Sequence, residues 1–358
     1  MGNQGEVPVS EVDPKLARRC AISTRLWGRM FSGLTAVTYR ELGEAALHKL
    51  WFDVLCNHQA DRYREGLEKL GIHEDPPAVA AAKYHYHTNV IGGLDMEYCE
   101  ESDRKAWIRY KAPMWVYDGV GMLAMPGGLR RTIFSAWHPR NGRLMGCPRL
   151  GYVATKFIME GEPYDEGYFF EYDRDLAPEE IYRFEHVTAT PEFDPETAPT
   201  LDRDAWPEER LLRARRNFSS GYTRETVNAL LSSHGEMQAH HIVAKTMRML
   251  AIQYTWEMRQ ALGIEGTGAA DCTALFTGLL DACFQRFSTE TLNDRAYRIG
   301  IDTFKPFDDD APEALREAMF EFQRMAVRVT NGRIRVTRER RADGGEAWTV
   351  EDAGRWLW

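Results

Sequence analysis

Hydrophobic and polar residues recur along this chain with two different periods, and the change from one to the other predicts where helices and strands lie. Between residues 38 and 71 apolar residues recur every three or four positions, which is typical of a helix with one buried face. Thr38 and Glu41 form a capping-box pattern at its start, and Gly71 follows its end. The predicted buried face consists of Leu47, Leu50, Trp51, Val54 and Leu55.

The next segments predict a sheet. A further helix is expected to start at Asp75-Pro76-Pro77 and to stop at Gly92, and a short one covers residues 129–137. Runs with a period of two predict two hairpins: 94–100 with 104–111, and 152–160 with 168–172. We therefore expect an α+β domain over residues 14–190, with a four-stranded antiparallel sheet that carries its helices on one face.

Prolines and acidic residues are concentrated between residues 188 and 207, which predicts a domain boundary. Beyond it we expect a mainly helical domain over residues 206–358, ending in a β-hairpin around Asp343-Gly344-Gly345. Its predicted helices are 207–218, 224–262, 273–287 and 312–329. No internal repeat of the solenoid kind is visible in the sequence.

Composition narrows the classes of partner. The chain has 358 residues and a formal net charge of -9, which disfavours nucleic acids and anionic membranes. The basic clusters 213–216 and 338–341 are therefore expected to be solvated surface. No apolar run reaches the roughly 18 residues of a membrane span, and residues 1–14 are polar, so we expect a cytoplasmic protein. Six scattered cysteines without CxxC pairs predict reduced thiols.

The first group of candidate chemical residues follows the helix over residues 129–137. Pro139 and Gly142 are expected to end that helix and to place His138 and Asn141 at the edge of the sheet. A histidine is a natural general base, and a cysteine near it can act as a nucleophile. The predicted catalytic and substrate-binding residues here are Trp137, His138, Asn141, Cys147 and Arg149. The alternative is that His138 and Asn141 cap a helix and Cys147 fills the core.

The second group lies on the long helix over residues 224–262. A helical wheel places an apolar stripe there, made of Met237, Ala244, Met247, Ala251, Tyr254 and Met258. Glu236 and His240 fall on the same side, one turn apart. They are predicted either to form a carboxylate-oriented imidazole or, with His87 (or His85) as a further ligand, to bind a divalent metal ion. The alternative is a structural hydrogen bond.

Aromatic residues are dense in the predicted sheet domain. On a sheet they are usually core residues, but Trp115 precedes a glycine- and methionine-rich segment, residues 119–128, that could cover a pocket. We therefore add Trp115 and Tyr254 to the predicted substrate-binding residues. The glycines form no dinucleotide fingerprint, and no Walker A pattern occurs, so the sequence calls for no cofactor apart from the metal alternative.

The order of elements over residues 42–173 resembles the L-2-amino-thiazoline-4-carboxylic acid hydrolase family, which is related to vinyl-reductase-type ligand-binding domains. The resemblance rests on the strand pair 96–98 with 107–110, ending at Ala112-Pro113, and on the closing pair 155–161 with 168–172. It implies hydrolysis of a carbon–nitrogen bond in a small heterocycle. Members of the family often have a cysteine where this chain has Ala112, so the resemblance supplies no nucleophile at that position.

The sequence thus predicts a hydrolase that acts on a small cyclic or amide-like, partly aromatic substrate in a cleft between its two domains. His138 or His240 would be the general base, Glu236 would orient His240, Asn141 would bind the oxyanion, and Cys147 would be nucleophile or bystander. The alternatives are a metal-dependent enzyme and a non-enzymatic sensor of a small molecule. The terminal Trp356-Leu357-Trp358 adds the expectation of a homodimer.

Overall fold

The fold is a mixture of long helices and two antiparallel-rich sheets. A computed structural model describes residues 12–60, 63–112, 114 and 122–358. The helices are α1 (Pro14–Leu42), α2 (Glu44–Ala60), α3 (Tyr63–Lys69), α4 (Pro77–Ile91), α5 (Leu129–Trp137), α6 (Arg140–Met145), α7 (Glu208–Ala261), α8 (Ala269–Ala282) and α9 (Glu313–Thr330). None of the helices in these ranges is long and apolar enough to cross a membrane.

The strands form one sheet in each half of the chain. The first sheet has the order β1-β2-β4-β3-β5, with β5 parallel to β3, and the second has the order β6-β7-β9-β8. The strands of the first sheet are β1 (Met96–Ser102), β2 (Lys105–Lys111), β3 (Leu150–Lys156), β4 (Tyr164–Glu171) and β5 (Tyr182–Phe184). Those of the second are β6 (Phe287–Asn293), β7 (Ala296–Ile301), β8 (Ile334–Arg340) and β9 (Glu346–Asp352). The predicted α+β class is confirmed.

The two halves repeat one topology. In each half a helix, α4 or α8, leads into a hairpin, a second helix, α5 or α9, follows, and a second hairpin completes the sheet in the same strand order. The register repeats as well, because Tyr110 pairs with Met96 and Asp165, and Ile301 pairs with Phe287 and Glu346. Each first hairpin even has its irregularity at the same place, next to the turn.

The long helices repeat too. Gly43 separates α1 from α2 with φ 85°, and Gly235 breaks α7 with φ 77° into a first arm, residues 208–234, and a second arm, residues 236–261. Both values lie in the left-handed region that glycine adopts without strain. The pair α1–α2 therefore corresponds to the two arms of α7.

Each half of the chain packs its first long helix, α1 or the first arm of α7, against the other half. Helix α1 packs along the second arm of α7, where Arg25 Nη1 lies 2.8 Å from Glu257 Oε1. It also contacts the first arm, whose Thr223 hydroxyl donates to the Trp27 carbonyl at 2.9 Å. The buried hydrophobic residues of both halves form one continuous cluster across these contacts. The chain therefore has one large core shared by two similar halves.

Several predicted boundaries were wrong. Thr38 does not cap a helix, since it is buried near the end of α1, which continues to Leu42. Residues 218–224 do not interrupt α7. The C-terminal half is not merely helical with one hairpin, because β6 and β7 complete a four-stranded sheet. The first sheet has a fifth strand, β5, which is only three residues long.

The arginine clusters and the terminal tryptophans also differ from simple solvated surface. The Arg338 side chain is only 3% exposed and forms an ion pair with Glu313, so that cluster is partly structural. Trp358 stacks on Arg328, whose guanidinium carbon lies 3.7 Å from the indole centroid. Trp356 remains 71% exposed, and the expected homodimer stays a prediction.

Replacing Gly235 with alanine is expected to lower the free energy of unfolding by about 1–2 kcal/mol, because a Cβ is strained at positive φ even where space is free. Gly221 is the matched control in the first arm of α7. It also has free space around it but a φ outside the left-handed region, so its replacement by alanine should stabilise by up to about 1 kcal/mol. Urea unfolding measures both free energies. Equal changes for the two variants would contradict the positive φ at Gly235.

Candidate ligand pocket

The C-terminal pocket is a cavity of about 100 Å³ between α1, α8, α9 and the second sheet. Helix α1 supplies Leu26, Trp27 and Met30, although it belongs to the other half of the chain. The remaining lining residues are Met247, Phe276, Leu279, Leu280, Cys283, Gln285, Ile301, Thr303, Phe304, Lys305, Arg316, Met319, Phe320, Phe322, Gln323, Glu346 and Trp348. Most of this wall is apolar, and several of its polar members, such as Gln285, Arg316 and Glu346, are held by hydrogen bonds or ion pairs.

A buried ion-pair cluster closes one side of the C-terminal pocket. Arg316 Nη1 lies 2.9 Å and Arg338 Nη2 lies 3.0 Å from the same Glu346 oxygen, Oε1. The Trp348 indole donates to the other oxygen, Oε2, at 3.1 Å. Burial raises the pKa of Glu346, but the hydrogen bonds from the two arginines outweigh it, and the pKa is lowered overall. The carboxylate is therefore charged and fully engaged.

The more exposed polar residues form the rim. The Gln285 side chain donates to the Lys305 carbonyl at 2.7 Å and accepts from the Thr303 hydroxyl at 2.6 Å. Lys305 itself is exposed. This chain of hydrogen bonds fixes the loop after β7 against the end of α8, so the rim is shaped before any ligand arrives.

The N-terminal half has an equivalent cavity of about 40 Å³. Here the first arm of α7 supplies Phe218 and Tyr222, in the places that Leu26 and Met30 of α1 take in the other half. Its other lining residues are Trp51, Leu55, Asn89, Leu94, Tyr110, Met114, Arg130, Ile133, Phe134 and Trp137. Each cavity is therefore completed by the first long helix of the opposite half.

The N-terminal cavity also has a buried ion pair at the matching position. Arg130 Nε lies 2.7 Å from Asp165 Oδ2, and Asp165 faces Tyr110 across the strands as Glu346 faces Ile301. The cavity is smaller because larger side chains fill it. Tyr110 replaces Ile301, and Trp137 stands where the C-terminal pocket has Gln323.

Behind the N-terminal cavity lies a closed cluster of aromatic and imidazole rings. His138 accepts or donates a hydrogen bond with the Tyr110 hydroxyl at 2.9 Å, and its ring stacks on His85 and Tyr152 with centroids 4.4 and 4.2 Å away. Asn141 Nδ2 lies 2.7 Å from His85 Nε2. His138 and Asn141 both contact His85, with Trp137 against the edge of the same ring, but Asn141 lies in α6 and not on the predicted loop at the edge of the sheet.

These rings are shut away from water. His85 and Asn141 are 0% exposed and His138 is 1% exposed. Burial lowers the pKa of His85 to about 3, and burial together with the neighbouring His85 lowers the pKa of His138 well below its usual range. Both imidazoles are neutral near pH 7, and a substrate could reach His138 only by displacing the side chains that surround it.

Cys147 and Arg149 do not join this cluster. Cys147 lies in the turn after α6, where its backbone N–H donates to the Gly142 carbonyl at 2.8 Å. Its thiol has no hydrogen bond to any residue that the structure describes. Arg149 is about half exposed and binds Glu171 at 2.5 Å. The predicted thiolate stabilised by His138 or Arg149 is thus not assembled.

Glu236 and His240 do not line a pocket either. Glu236 is exposed at the start of the second arm of α7, and Met237, predicted in the apolar stripe, is 85% exposed. The same Gly-Glu-x-x-x-His pattern follows Gly43, where His48 Nε2 lies 3.4 Å from Glu44 Oε1. The pattern therefore marks the start of a helix after each glycine, where a negative charge is favourable.

No metal site is formed by the predicted ligands. Among the described residues no three His, Cys, Asp or Glu side chains are grouped so that they could hold a metal ion. His87 is buried in α4, and burial lowers its pKa to about 4. Tyr254 packs under Arg29, whose guanidinium carbon lies 3.9 Å from the ring centroid, and does not line either cavity. Trp115 lies outside the described residues.

Of the predicted site residues that the structure describes, Trp137 alone lines one of the two cavities. Arg130 and Arg316 lie in amphipathic helices, where an arginine is an ordinary surface residue. Asp165 and Glu346 lie at the starts of strands, just outside the strands that the alternation of apolar and polar residues predicted. One signal was available. The hairpin turns are similar in sequence: Ser102-Asp103-Arg104 in one half and Asn293-Asp294-Arg295 in the other. Each turn follows the end of the preceding helix, α4 or α8, at the same distance in sequence. This similarity could have indicated that the fold repeats.

Comparison with known proteins gives no relative. No family model, no curated protein and no solved structure matches the chain.

Lowering the pH should destabilise the protein below about pH 6.5, because the unfolded chain protonates its histidines near that pH while His85 and His138 remain neutral in the folded state. Stability is complete above this pH and falls as the pH drops towards 3. Each histidine contributes about 1.4 kcal/mol per pH unit. His138→Gln should reduce the slope of unfolding free energy against pH by about that amount, whereas His73→Gln, at an exposed position, should leave it unchanged. An unchanged slope in His138→Gln would refute the neutral buried imidazole.

Removing the charge of Glu346 should cost about 3–5 kcal/mol of unfolding free energy, since Glu346→Gln leaves the buried Arg316 without its counter-ion. Glu339→Gln is the control, because Glu339 pairs with Arg298 on the exposed face of the same sheet and should lose less than about 1 kcal/mol. Chemical denaturation measures both. A loss below 1 kcal/mol for Glu346→Gln would show that the cluster does not hold the pocket wall.

Proposed function

We propose that this protein binds a small, mainly apolar molecule in the C-terminal pocket. The observation that carries the proposal is the contrast between the two equivalent cavities, of which one is narrowed to about 40 Å³ by Tyr110 and Trp137 and the other keeps about 100 Å³. Close packing is the rule in protein interiors, so a repeated fold that keeps one cavity open at the matching place suggests a use for it.

The size and the chemistry of the pocket support a small ligand. An apolar cavity of roughly 150 Å³ can hold benzene, so a pocket of about 100 Å³ with an exposed rim suits a small ring or a short chain. Phe276, Phe320 and Trp348 offer flat apolar surface, and Met30 and Met247 offer adaptable surface. Apolar walls with a few placed polar groups are typical of ligand pockets.

The position of the pocket links binding to the assembly of the fold. Its wall includes Leu26, Trp27 and Met30 from α1, and the rest comes from the C-terminal half. A ligand that contacts both parts stabilises their packing, because it binds the folded chain and not the unfolded one. The predicted cleft between the sheet domain and the helical region stays a prediction.

The groups around the pocket favour binding over covalent chemistry. Burial raises the pKa of the Cys283 thiol to about 11, so the thiol is protonated near pH 7 and is a poor nucleophile. The Ser23 hydroxyl donates to its sulfur at 3.8 Å, and the Trp27 side chain also hydrogen-bonds to it. Hydrolysis of a carbon–nitrogen bond stays a prediction of the family resemblance.

The proposal is tested with toluene, indole and hexan-1-ol as probes. Calorimetry of the wild-type protein should give dissociation constants between about 1 µM and 1 mM, the range expected for ligands of this size. Met319→Trp should weaken binding at least about tenfold, because the larger side chain fills the pocket that Met319 lines. Met249→Trp is the matched control, since Met249 is exposed on α7.

Each outcome bears on the proposal. Binding that is lost in Met319→Trp and kept in Met249→Trp supports it. Absence of binding by all three probes, or equal binding by both variants, would overturn it. Thermal unfolding of both variants shows that each is folded before the comparison is made.

A further inference from the structure

Three arginines surround one phenylalanine at the end of α8. The guanidinium carbons of Arg19, Arg216 and Arg213 lie 4.0, 4.6 and 5.6 Å from the centre of the Phe284 ring. Arg19 comes from α1 and the other two come from the first arm of α7, so the arginine cluster forms where both exchanged helices meet the C-terminal half.

The backbone at Phe284 is unusual. Its φ is 57°, and it is the one non-glycine residue with positive φ among those that the structure describes. The equivalent residue of the N-terminal half, three positions before the following strand, is Gly93 with φ 90°. A bulky side chain in the left-handed region is strained, and strain of this kind is concentrated at functional sites.

The cluster carries more positive charge than its partners balance. Arg19 Nε lies 3.1 Å from Asp281, and Arg213 lies 3.7 Å from Glu209. Arg216 has no carboxylate partner among the described residues. Its guanidinium donates a hydrogen bond to the neighbouring Asn217 side chain. Burial lowers the pKa of Arg216, the nearby Cys283 and Cys20 thiols oppose this, and the pKa is lowered overall. A guanidinium that is half-buried, charged and without a counter-ion is suited to bind an anion.

The arginine cluster adjoins the C-terminal pocket. Phe284 stands between Cys283 and Gln285, both of which line that pocket. The charge of Arg216 also acts on the Cys283 thiol, where it opposes the effect of burial on the pKa. A molecule in the pocket could therefore place one end beside Phe284 and the arginines.

We propose that Arg19, Arg213 and Arg216 bind an anionic group, a carboxylate or a phosphate, carried by the molecule whose apolar part occupies the C-terminal pocket. This inference rests on the proposed function and names its ligand class, a small amphipathic acid. Arg216 is the principal residue, because no carboxylate among the described residues pairs with it, and Arg213 and Arg19 add to the local field.

The experiment compares hexanoate, hexyl phosphate and hexan-1-ol, which share one chain and differ in charge. In calorimetry at low ionic strength the wild-type protein should bind the two anions about 10- to 100-fold more tightly than the alcohol, the ratio expected for a charged hydrogen bond. Arg216→Gln, and to a lesser degree Arg213→Gln, should remove this preference while leaving the affinity for hexan-1-ol within about twofold.

Arg224→Gln is the matched control. Arg224 lies on the same arm of α7, about 12 Å further along the helix, and already binds Glu225 at 3.0 Å. It should keep the full preference for anions. A thermal melt of each variant confirms folding, and Arg213→Gln, at a more exposed position, provides a second variant if Arg216→Gln is unstable.

The outcomes separate the two proposals. If hexan-1-ol and both anions bind equally well to the wild-type protein, or if Arg216→Gln and Arg213→Gln keep the preference, the anion site is wrong and the apolar pocket stands. If none of the three binds, the pocket proposal fails and this inference fails with it. Preference for only one anion supports the site and identifies its source as carboxylate or phosphate.

Discussion

The packing of α1 against the two arms of α7 is the contact on which the rest of the structure depends. Each half of the chain contributes its first long helix to the cavity of the other half, so neither cavity is complete within one half. Gly43 and Gly235 allow this exchange, because each turns the chain between a helix that crosses over and a helix that stays. The hydrophobic core is continuous across the exchange, and the two similar halves therefore form one folding unit.

The two halves share one topology and differ in the side chains that surround their buried ion pairs. Buried pairs of arginine and carboxylate, Arg130 with Asp165 and Arg316 with Glu346, occupy matching positions on the helix and on the strand. Around the first pair lie Tyr110 and the stacked imidazoles, which make a closed and uncharged polar core. Around the second lie apolar walls and an open cavity. The first cluster is enclosed by side chains, whereas an open apolar pocket provides a place for a ligand.

Sequence reasoning reached part of this fold. The first sheet was predicted because its strands, such as β2, alternate apolar and polar residues, as at Ile108, Arg109, Tyr110 and Lys111. Strand β6 was missed because almost all its residues are exposed, so its pattern shows no alternation. The break in α7 was placed at the wrong residues, since a single Gly235 in a polar stretch gives no hydrophobic signal.

The candidate site was harder to predict, for a physical reason. Its walls come from α1, α8, α9 and β9, which are distant in sequence, and no periodicity within one segment reports that they meet. Glu236 and His240 were predicted as site residues because of their spacing. Glu44 and His48 have the same spacing after Gly43, so this pattern marks the start of a helix in each half. The chemistry of a single motif was therefore less informative than the repetition of the whole half.

Crystallography of the protein under xenon pressure tests the central claim, that one of two equivalent cavities has been kept open. Xenon binds apolar cavities without any polar contact, so it reports open space directly. The account predicts xenon between Met30, Phe276 and Trp348 in the C-terminal pocket and none beside Tyr110 and Trp137 in the N-terminal cavity. Xenon in the N-terminal cavity, with or without xenon in the C-terminal pocket, or xenon in neither, would contradict it.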